Sequence, residues 1–508
     1  MKKTGFLDSG KDEFNLVSSP WIPVRDLKGQ VQLVGLEELF RTPADWADLD
    51  LRPHERVAVM RLLICIAQAA IGAPEDSDGW ADFGADLSPR AMAYLDQWRD
   101  AFLLLGNGRR FLQRLPVKDG EPTLASKLIP WLATGNNPTS NDHAGGTLRA
   151  FNPAELALAL LAFQNFYPLY GAGYKGRGPC VDGNMLHTLL RGDHLAAVII
   201  NNALDAKTIA RSMGGMGRPI WEQWPNSPSD TSAVENTRKT YLGRLVPVHR
   251  TVWICDNRAE ILVGNDGWEY PTFEEYQEPT ATVIVTEKGE RRLLFASPIK
   301  SVWRDLHALT VMKYSGENAA SAPWILRSHQ DPMSPKPLDL WTGALVTDGK
   351  AKILDVVESV FHLESRIFTD IGRGIYELGT AYALRRVGHL RDAVRLYAKA
   401  MKQEDAPTAA AERHYWHALD FASEVLLKVA VDPAMGIVSF GGLSQDPWTE
   451  HVRKAVRGAY RAVCSRETPR QILAFVEGEQ ALSPKPKTSK KAQFQRRRGK
   501  ADANRPHP

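Results

Sequence analysis

A glycine-rich segment at residues 171–178, GAGYKGRG, carries two cationic side chains, Lys175 and Arg177. Three of its glycines have the spacing G-x-G-x-x-G: Gly171, Gly173 and Gly176. That spacing is typical of a dinucleotide-binding fold only when a strand precedes it and a helix follows it. Here a helical pattern precedes the segment, Pro179 follows it, and no G-K-S or G-K-T sequence occurs in it. The context therefore argues against both a dinucleotide fold and a P-loop.

The same segment is suited to close contact with a phosphate backbone. Glycine lacks a Cβ atom, so the backbone at 171–178 can approach a ligand closely. Exposed amides beside Lys175 and Arg177 would suit nucleic-acid phosphates or the floor of a groove. Two alternatives stay open: a tight turn between domains, and an enzyme that holds a nucleotide phosphate there. Binding of ATP or a dinucleotide by the isolated chain would favour the enzyme.

A second candidate loop consists of Thr347, Asp348, Gly349 and Lys350. These residues lie between the apolar segment PLDLWTGALV and a predicted helix that begins near Ala351. Asp-Gly is typical of a tight turn. Taken alone, the four residues are most simply interpreted as a plain turn between two elements.

Residue types that catalyse reactions or bind metals form no recognisable motif. His414 and His417 are three apart on a predicted helix, but no third ligand converges on them in the sequence, so we interpret them as packed side chains. His143, in a polar loop at 134–153, has no nearby partner for a nucleophile–base pair. The cysteines are too widely spaced for a C-x-x-C site or a disulfide framework: Cys65, Cys180, Cys255 and Cys464. We therefore predict a non-enzymatic protein without metal or cofactor.

Composition places the chain among ordinary globular proteins. Of its 508 residues, 44% are hydrophobic and 24% are charged, which is typical of a protein of about two to four domains. The longest apolar stretch, at 62–73, contains Gln68 and is shorter than the roughly 18 residues of a membrane span. Residues 1–14 begin with Lys2 and Lys3 directly after Met1, but no apolar core follows these two lysines. We therefore expect no secretory signal and predict a cytoplasmic protein.

The positive charge is concentrated at the C-terminal end. Residues 484–508 contain nine basic residues and one acid, a charge of +8, whereas the whole chain carries +4 and the remainder therefore about −4. This segment lacks apolar periodicity, so we predict a disordered basic tail. A flexible arm attracted to nucleic-acid phosphates and a solubilising tail are the two interpretations. A general nucleic-acid-binding scaffold that acts through this tail is one functional hypothesis.

Hydrophobic periodicity and turn residues predict the elements of the first 345 residues. Short strands are expected within 13–40 and 236–297. Helices are expected over 54–71, 89–105 and 185–206. A further helix should begin at Pro153 with Asn152 as its N-cap. Together these elements predict an irregular, mixed α+β N-terminal domain.

Beyond residue 351 the sequence predicts only helices. The amphipathic patterns cover 352–376, 377–402, 408–431 and 446–481. Four consecutive helices are typical of an antiparallel bundle. The predicted fold is therefore α+β overall, with the mixed domain at 1–345, an all-α antiparallel four-helix bundle at 351–483 and the basic tail at 484–508.

Seven segments, taken together, resemble the large-subunit (CasA) family of the type I-E CRISPR Cascade complex. They are FNLVSSPWIPV at 14–24, RLLICIAQAA at 61–70, RRFLQ at 109–113, the Asn/His-rich loop with the following FQNF and GAGYKGRG, YLGRLVPVHR at 241–250, LDLWTGAL at 338–345 and AERHYWHALDF at 411–421. Each motif is short, but their common order over residues 13–480 makes the resemblance specific.

The resemblance implies a subunit of an RNA-guided surveillance complex. Base pairing with the guide RNA recognises the target, and the large subunit recognises a short flanking motif, the PAM, mainly from the minor groove. A wedge loop starts duplex unwinding and R-loop formation, and the helical bundle contacts the small subunits and the displaced strand. The implied partners are the backbone, guide 5′-end-binding and small subunits, the CRISPR guide RNA, target double-stranded DNA and a recruited helicase–nuclease, with no membrane.

The resemblance also assigns candidate DNA-binding residues by position. Gly171, Ala172, Gly173 and Lys175 resemble the family's glycine loop, with Arg177 beside them, and Thr347, Asp348, Gly349 and Lys350 align with the wedge tip. Family members can carry a Gln/Asn-rich wedge, whereas this tip has an acid and a lysine. The region expected to hold the family's groove lysine, about 257–280, contains one cation, Arg258. Minor-groove recognition separates mostly A·T from G·C, so it should tolerate several motifs.

Overall fold

The computed structural model describes residues 13–482 with several gaps. The gaps are 119, 130–146, 167–177, 181–183, 228, 265–267, 287, 313–319, 332, 348–352, 435–439 and 441–445. The predicted basic tail and most of the polar loop at 134–153 lie outside the described residues. The chain divides between Thr369 and Asp370 into two compact units, named unit 1 and unit 2 in chain order. In the described parts of both units, no helix is long and apolar enough to cross a membrane.

Unit 1 combines helices with short antiparallel strands. Its helices are α1 (Leu36–Arg41), α2 (Pro53–Ile71), α3 (Ser77–Gln97), α4 (Pro153–Phe166), α5 (Leu195–Asn202), α6 (Ala206–Ser212), α7 (Thr231–Lys239), α8 (Tyr241–Leu245), α9 (Leu306–Leu309) and α10 (Trp324–His329). Its strands are β1 (Phe14–Asn15), β2 (Ile22–Asp26), β3 (Val31–Val34), β4 (Trp46–Leu49), β5 (Leu103–Leu105), β6 (Pro122–Leu124), β7 (His187–Leu190), β8 (Val252–Ile254), β9 (Glu260–Val263), β10 (Val283–Val285), β11 (Arg291–Leu293), β12 (Leu338–Thr347) and β13 (Ile353–Leu363).

The strands of the described chain form small sheets with the orders β1-β5, β3-β2-β4, β6-β9-β8, β10-β11 and β13-β12-β7. In the last of these, β12 is the inner strand. It pairs along its length with β13, while Leu340 to Gly343 pair with Leu190 to His187 of β7. The inner strand β12 is buried along most of its length, whereas β13 is largely exposed. This sheet therefore joins chain segments that are far apart in sequence.

The core of unit 1 is built around α2. Pro53 occupies its first position, and Gly72, with φ +102°, follows its last residue. This confirms the helix predicted at 54–71. All residues from Val57 to Gln68 are buried, which is typical of a helix packed on several sides. Its helical partners in the core are α3, α4, α5 and α8, and β12 also packs against it.

Unit 2 consists of helices in its described residues: α11 (Asp370–Met401), α12 (Thr408–Asp420), α13 (Ser423–Val431), α14 (Pro447–Val463) and α15 (Pro469–Glu479). The long helix α11 contacts each of the other four. The predicted helices at 408–431 and 446–481 are each divided into two. In the second case Thr468 and Gln471 form a capping box that starts α15. The described part of unit 2 thus contains five helices, whereas four were predicted beyond residue 351.

The helix predicted at 352–376 is wrong for most of its length. Residues Ile353–Leu363 form β13, and α11 begins only at Asp370. The sequence ILDVVESVFHL alternates between more and less exposed side chains and contains three valines, a pattern typical of a strand. These residues form a strand because they pair with β12. Hydrophobic periodicity in one sequence does not show which strand lies beside them.

Three predictions in the first half also need correction. The helix placed at 89–105 begins at Ser77, where Asp76 accepts a hydrogen bond from the Gly79 amide at 2.9 Å, and it contains Pro89 in its interior. Packing against α2 outweighs the cost of that proline. The helix predicted at 185–206 is instead β7 followed by α5, and the strand region predicted from 236 starts with α7 and α8.

Two local predictions are confirmed. β2 and β3 are joined through Gly29, whose φ of +84° favours glycine. The helix α4 begins at Pro153, and the Asn152 Oδ1 atom accepts a hydrogen bond from the Ala154 amide at 2.9 Å. Such signals depend only on neighbouring residues, so the sequence alone contains them.

Candidate functional site

The structure describes one of the sequence-predicted site residues. Thr347 is the last residue of β12. The others lie outside the described residues: Gly171, Ala172, Gly173, Lys175, Arg177, Asp348, Gly349 and Lys350. The described residues that flank both segments nevertheless show how the fold holds their ends.

The glycine segment follows α4, whose end is fixed by polar side chains. Gln164 is buried, and its Nε2 atom donates to the Arg250 carbonyl at 2.9 Å. Its Oε1 atom accepts from the amides of His249 at 3.0 Å and Arg250 at 3.2 Å. The next residue, Asn165, accepts the Cys180 amide on its carbonyl at 3.1 Å. The two ends of the segment between Phe166 and Gly178 are therefore held next to each other.

Gly178 lies against the end of α4 too closely for any side chain. A Cβ atom there would be 2.4 Å from the Asn165 carbonyl oxygen and 2.9 Å from that of Gln164. The sequence analysis left two interpretations of the segment's glycines open, approach to a ligand and a tight turn. Gly178 has a different role, because it allows the chain to pass over the end of α4.

His187 of β7 contacts the chain at Cys180, two residues after Gly178. Its ring is buried, with Nε2 3.3 Å from the Cys180 carbonyl and Nδ1 2.8 Å from the Thr280 hydroxyl. A carbonyl only accepts, so Nε2 carries the proton and Nδ1 accepts from Thr280. Burial, and then the charge of Arg61, lower the pKa of His187 to about 4. The ring is therefore neutral at neutral pH.

Arg61, Arg244 and Glu278 form a buried ion cluster. Arg61 of α2 donates to Glu278 Oε2 at 2.7 Å, and Arg244 of α8 donates through Nε to Glu278 Oε1 at 2.8 Å. Burial raises the pKa of Glu278, but the charges of Arg244 and Arg61 lower it further, and the net direction is downward. The Tyr276 ring lies 4.1 Å from the Arg244 guanidinium carbon. The cluster joins α2 and α8 to the chain at Glu278. Because its charges are paired with one another, we assign it a structural role.

Asn184 connects the two candidate segments. Its Oδ1 atom accepts from the Thr347 amide at 2.9 Å and from the Thr347 hydroxyl at 3.1 Å. Its Nδ2 atom donates to the Thr347 carbonyl at 3.1 Å. Asn184 lies six residues after Gly178, and Thr347 directly precedes Asp348. The chain leaving the glycine segment is thus fixed to the strand that leads into the predicted wedge tip.

Sequence reasoning missed Asn184, although one signal was present. It follows Asp182 and Gly183, and such a polar cluster is typical of a turn. Its φ of +69° lies in the left-handed region, which asparagine tolerates better than most residues. Its partner, however, is 163 residues away in sequence, and no local pattern indicates that contact.

The other chemistry-bearing residues form no ligand site in the described chain. No group of three or more His, Cys, Asp or Glu side chains there is arranged to hold a metal ion. The His417 ring packs edge-on against Phe421 with the centroids 4.8 Å apart. Three cysteines are buried and the fourth is half-buried, in the order Cys65, Cys180, Cys464 and Cys255. His143 lies outside the described residues.

Unit 2 presents a basic surface on α14. Arg453, Arg457 and Arg461 recur at four-residue intervals and are exposed, while the opposite face of the helix is buried. Burial lowers the pKa of Arg386 on α11, and the charges of Arg453 and Arg457 also act to lower it. A cluster of arginines on one face creates a positive potential suited to phosphates.

Comparison with solved structures places the fold among CRISPR-associated proteins. A crystal structure of CasA from Thermus thermophilus has a TM-score of 0.73 and 23% identity, covering 93% of this chain and 98% of that chain. A chain of a solved CRISPR RNA-guided surveillance complex has a TM-score of 0.67 and 18% identity, covering 93% of this chain and 100% of that chain. At these identities the likeness concerns the fold.

The sequence comparison gives the family. The model of CRISPR-associated protein Cse1 matches residues 15–459, so this chain belongs to the Cse1 (CasA) family. The CRISPR-associated protein CasA/Cse1 of Thermus thermophilus is 27% identical over 522 residues, covering 92% of this chain and 96% of that protein. The resemblance derived from the seven segments is thereby confirmed.

Proposed function

We propose that this chain is the large subunit of a type I-E CRISPR surveillance ribonucleoprotein, in which it recognises the PAM of target double-stranded DNA. It then starts duplex unwinding and R-loop formation and recruits the helicase–nuclease for interference. The observation that carries the proposal is the junction of Asn184, six residues after Gly178, with Thr347, which directly precedes Asp348. Membership of the Cse1 family supports the same role.

The proposal requires that two loops act on adjacent parts of one duplex. A backbone with glycines can lie against the minor groove without a Cβ clash. A neighbouring wedge can then separate the first base step, which costs a few kcal/mol. The guide–target heteroduplex is about as stable as the duplex it replaces, so the local nucleating contact controls the outcome. The hydrogen bonds between Asn184 and Thr347, which flank the two loops along the chain, suit this sequence of events.

The basic surface of α14 supports a second contact with nucleic acid. We assign to it the displaced strand, whose phosphates would be neutralised by Arg457 and Arg461. The fold similarity to a chain of an RNA-guided surveillance complex supports the guide RNA and the other subunits as partners. Recruitment of the helicase–nuclease rests on the family resemblance, and the non-enzymatic role and the cytoplasmic location stay predictions.

The glycine segment provides the direct test of the proposal. Gly171→Val combined with Gly173→Val introduces bulk where the backbone should meet the groove. The assembled guide-RNA complex containing this variant should lose at least tenfold in affinity for duplex targets, about 1.4 kcal/mol or more, while the thermal unfolding of the chain is unchanged. Electrophoretic mobility shift with a labelled duplex measures the affinity.

The matched control replaces two glycines that have open space around them. At Gly374 and Gly388 of α11, an added Cβ atom would meet no atom of another part of the chain within 4 Å, so Gly374→Val with Gly388→Val should bind targets as the wild type does. Wild-type affinity in a folded Gly171/Gly173 variant would refute the assignment of the glycine segment.

A further inference from the structure

We propose that Asn184 is a positioning residue for strand separation. Its side-chain amide fixes the end of β12 at Thr347 and thereby sets where the segment after Thr347 starts. This inference rests on the proposed function, because it assigns the step in which the predicted wedge enters the duplex. Asn184 itself touches no DNA in the proposal and acts through Thr347.

The hydrogen bonds of Asn184 replace a ladder partner at the end of the strand. One amide group both accepts from the Thr347 N–H and donates to the Thr347 C=O, which is the pattern that a neighbouring strand residue would supply. The pairing of β12 with β13 is irregular at this point. Val346 pairs with Asp355, whereas Thr347 pairs with Ile353, so one residue of β13 is left out.

That irregularity gives the contact with Asn184 its importance. At a bulge the regular ladder is interrupted and the bulged strand bends, so register alone no longer fixes the direction of the chain. The third bond, from the Thr347 hydroxyl to Asn184 Oδ1 at 3.1 Å, adds a side-chain contact to the two backbone contacts. Thr347 is thus held by its amide, carbonyl and hydroxyl groups together.

Asn184 is itself rigidly placed. Its carbonyl accepts the Ala296 amide at 2.9 Å, Met185 bridges Phe295, and the Leu186 amide donates to Leu294 at 2.9 Å. Three consecutive residues are therefore paired with one extended segment. A left-handed φ on a residue that also needs a side-chain amide restricts the position to asparagine more than to any other residue.

The consequence for function is geometric. Binding groups need supporting residues that hold them to within about 0.5 Å of their productive geometry. Without the amide of Asn184, the end of β12 would keep its pairing with β13 but lose its contact with the chain that follows the glycine segment. The complex would then still bind the flanking motif and would open the duplex poorly.

Two variants separate the side chain from the backbone. Asn184→Gly removes the amide and keeps the freedom to adopt a positive φ. Asn184→Asp keeps the acceptor for the Thr347 amide and hydroxyl but loses the donor to its carbonyl. The matched control is Asn201→Gly, which removes an exposed amide that bonds the Arg191 carbonyl at 2.9 Å.

The experiment compares two targets that share the same flanking motif. One is fully paired, and in the other the first few base pairs beside the motif are mismatched and already open. The assembled guide-RNA complex with Asn184→Gly should bind the paired target about tenfold more weakly than wild type, about 1.4 kcal/mol, and bind the open target equally well. The affinity of the Asn184→Asp complex for the paired target should lie between those of wild type and Asn184→Gly. The Asn201→Gly complex should bind both targets as tightly as wild type does.

The outcomes distinguish this inference from the function on which it rests. If wild type depends on the flanking motif but Asn184→Gly binds the paired target normally, only the role of Asn184 is overturned. An equal loss on paired and open targets also overturns it, because that result indicates a general folding defect. If wild type shows no dependence on the motif, the proposed function fails, and the positioning role fails with it.

Discussion

At the residue scale, the sequence predicts features that depend on neighbouring residues but not contacts between residues far apart in the chain. The N-cap at Asn152 and the turn at Gly29 follow from neighbouring residues and were predicted. For the segment that contains Gly178, approach to a ligand was one interpretation and a tight turn the other; the Cβ position of Gly178 is closed by the Asn165 carbonyl. Asn184 was not predicted at all, because its partner Thr347 is distant in sequence. The residues that hold the candidate loops are therefore the ones that sequence patterns reveal least.

His187 gives a pH-dependent prediction at this scale. Its folded-state pKa of about 4 lies below the usual 6.5, so the stability that the neutral ring provides is complete above pH 6.5 and is lost as the pH falls toward 4. Between pH 7 and pH 5, wild type should lose about 2 kcal/mol more free energy of unfolding than His187→Gln, which still accepts and donates but does not titrate. Urea unfolding of the intact chain measures this.

The control for His187 is an exposed histidine on another element. His414→Gln on α12 replaces an exposed side chain and should not reproduce the effect of His187→Gln. A pH dependence equally steep in wild type and His187→Gln would show that protonation of His187 is not coupled to unfolding.

At the element scale, the sequence identified strongly patterned helices and misplaced the strands that pair at long range. α2 and α4 have buried apolar faces and clear end signals, and both were predicted. β13 was predicted as a helix, because its apolar residues satisfy both periodicities until β12 is known to lie beside it. This error affected the candidate site directly, since β12 and β13 flank the predicted wedge tip.

The basic face of α14 gives a prediction at the element scale. Arg457→Gln combined with Arg461→Gln should weaken target binding by the assembled complex by the same factor for every flanking motif. Each lost phosphate contact should reduce the slope of log affinity against log salt by about 0.7 to 0.9. Filter binding over a series of salt concentrations measures that slope.

A neighbouring lysine serves as the control for the α14 arginines. Lys454 lies on the same helix but is paired with Glu450 at 2.7 Å, so Lys454→Gln should change the salt slope less. An unchanged slope in the double arginine variant would show that α14 contacts no phosphates. A loss restricted to one motif would instead indicate that unit 2 takes part in motif recognition.

At the scale of the whole molecule, the family resemblance predicted a function, whereas composition and charge did not. Composition and charge predicted a globular chain with a basic tail but no particular function. The order of seven short motifs over residues 13–480 identified the family, and the Cse1 model match at 15–459 confirmed it. The predicted α+β class holds, while the simple four-helix bundle does not describe the five helices in the described part of unit 2. The order of the motifs along the chain was needed to identify the family, because each motif alone is too short to be specific.

The central claim is that this chain makes target binding depend on the flanking motif. The most direct measurement is duplex binding by the assembled guide-RNA complex with and without this chain, across targets that differ only in the three base pairs beside the matched sequence. We expect the chain to raise affinity at least tenfold for some flanks and not for others, about 1.4 kcal/mol or more. An equal gain for every flank, abolished by deleting 484–508, would contradict the claim and favour a general scaffold that binds through its tail.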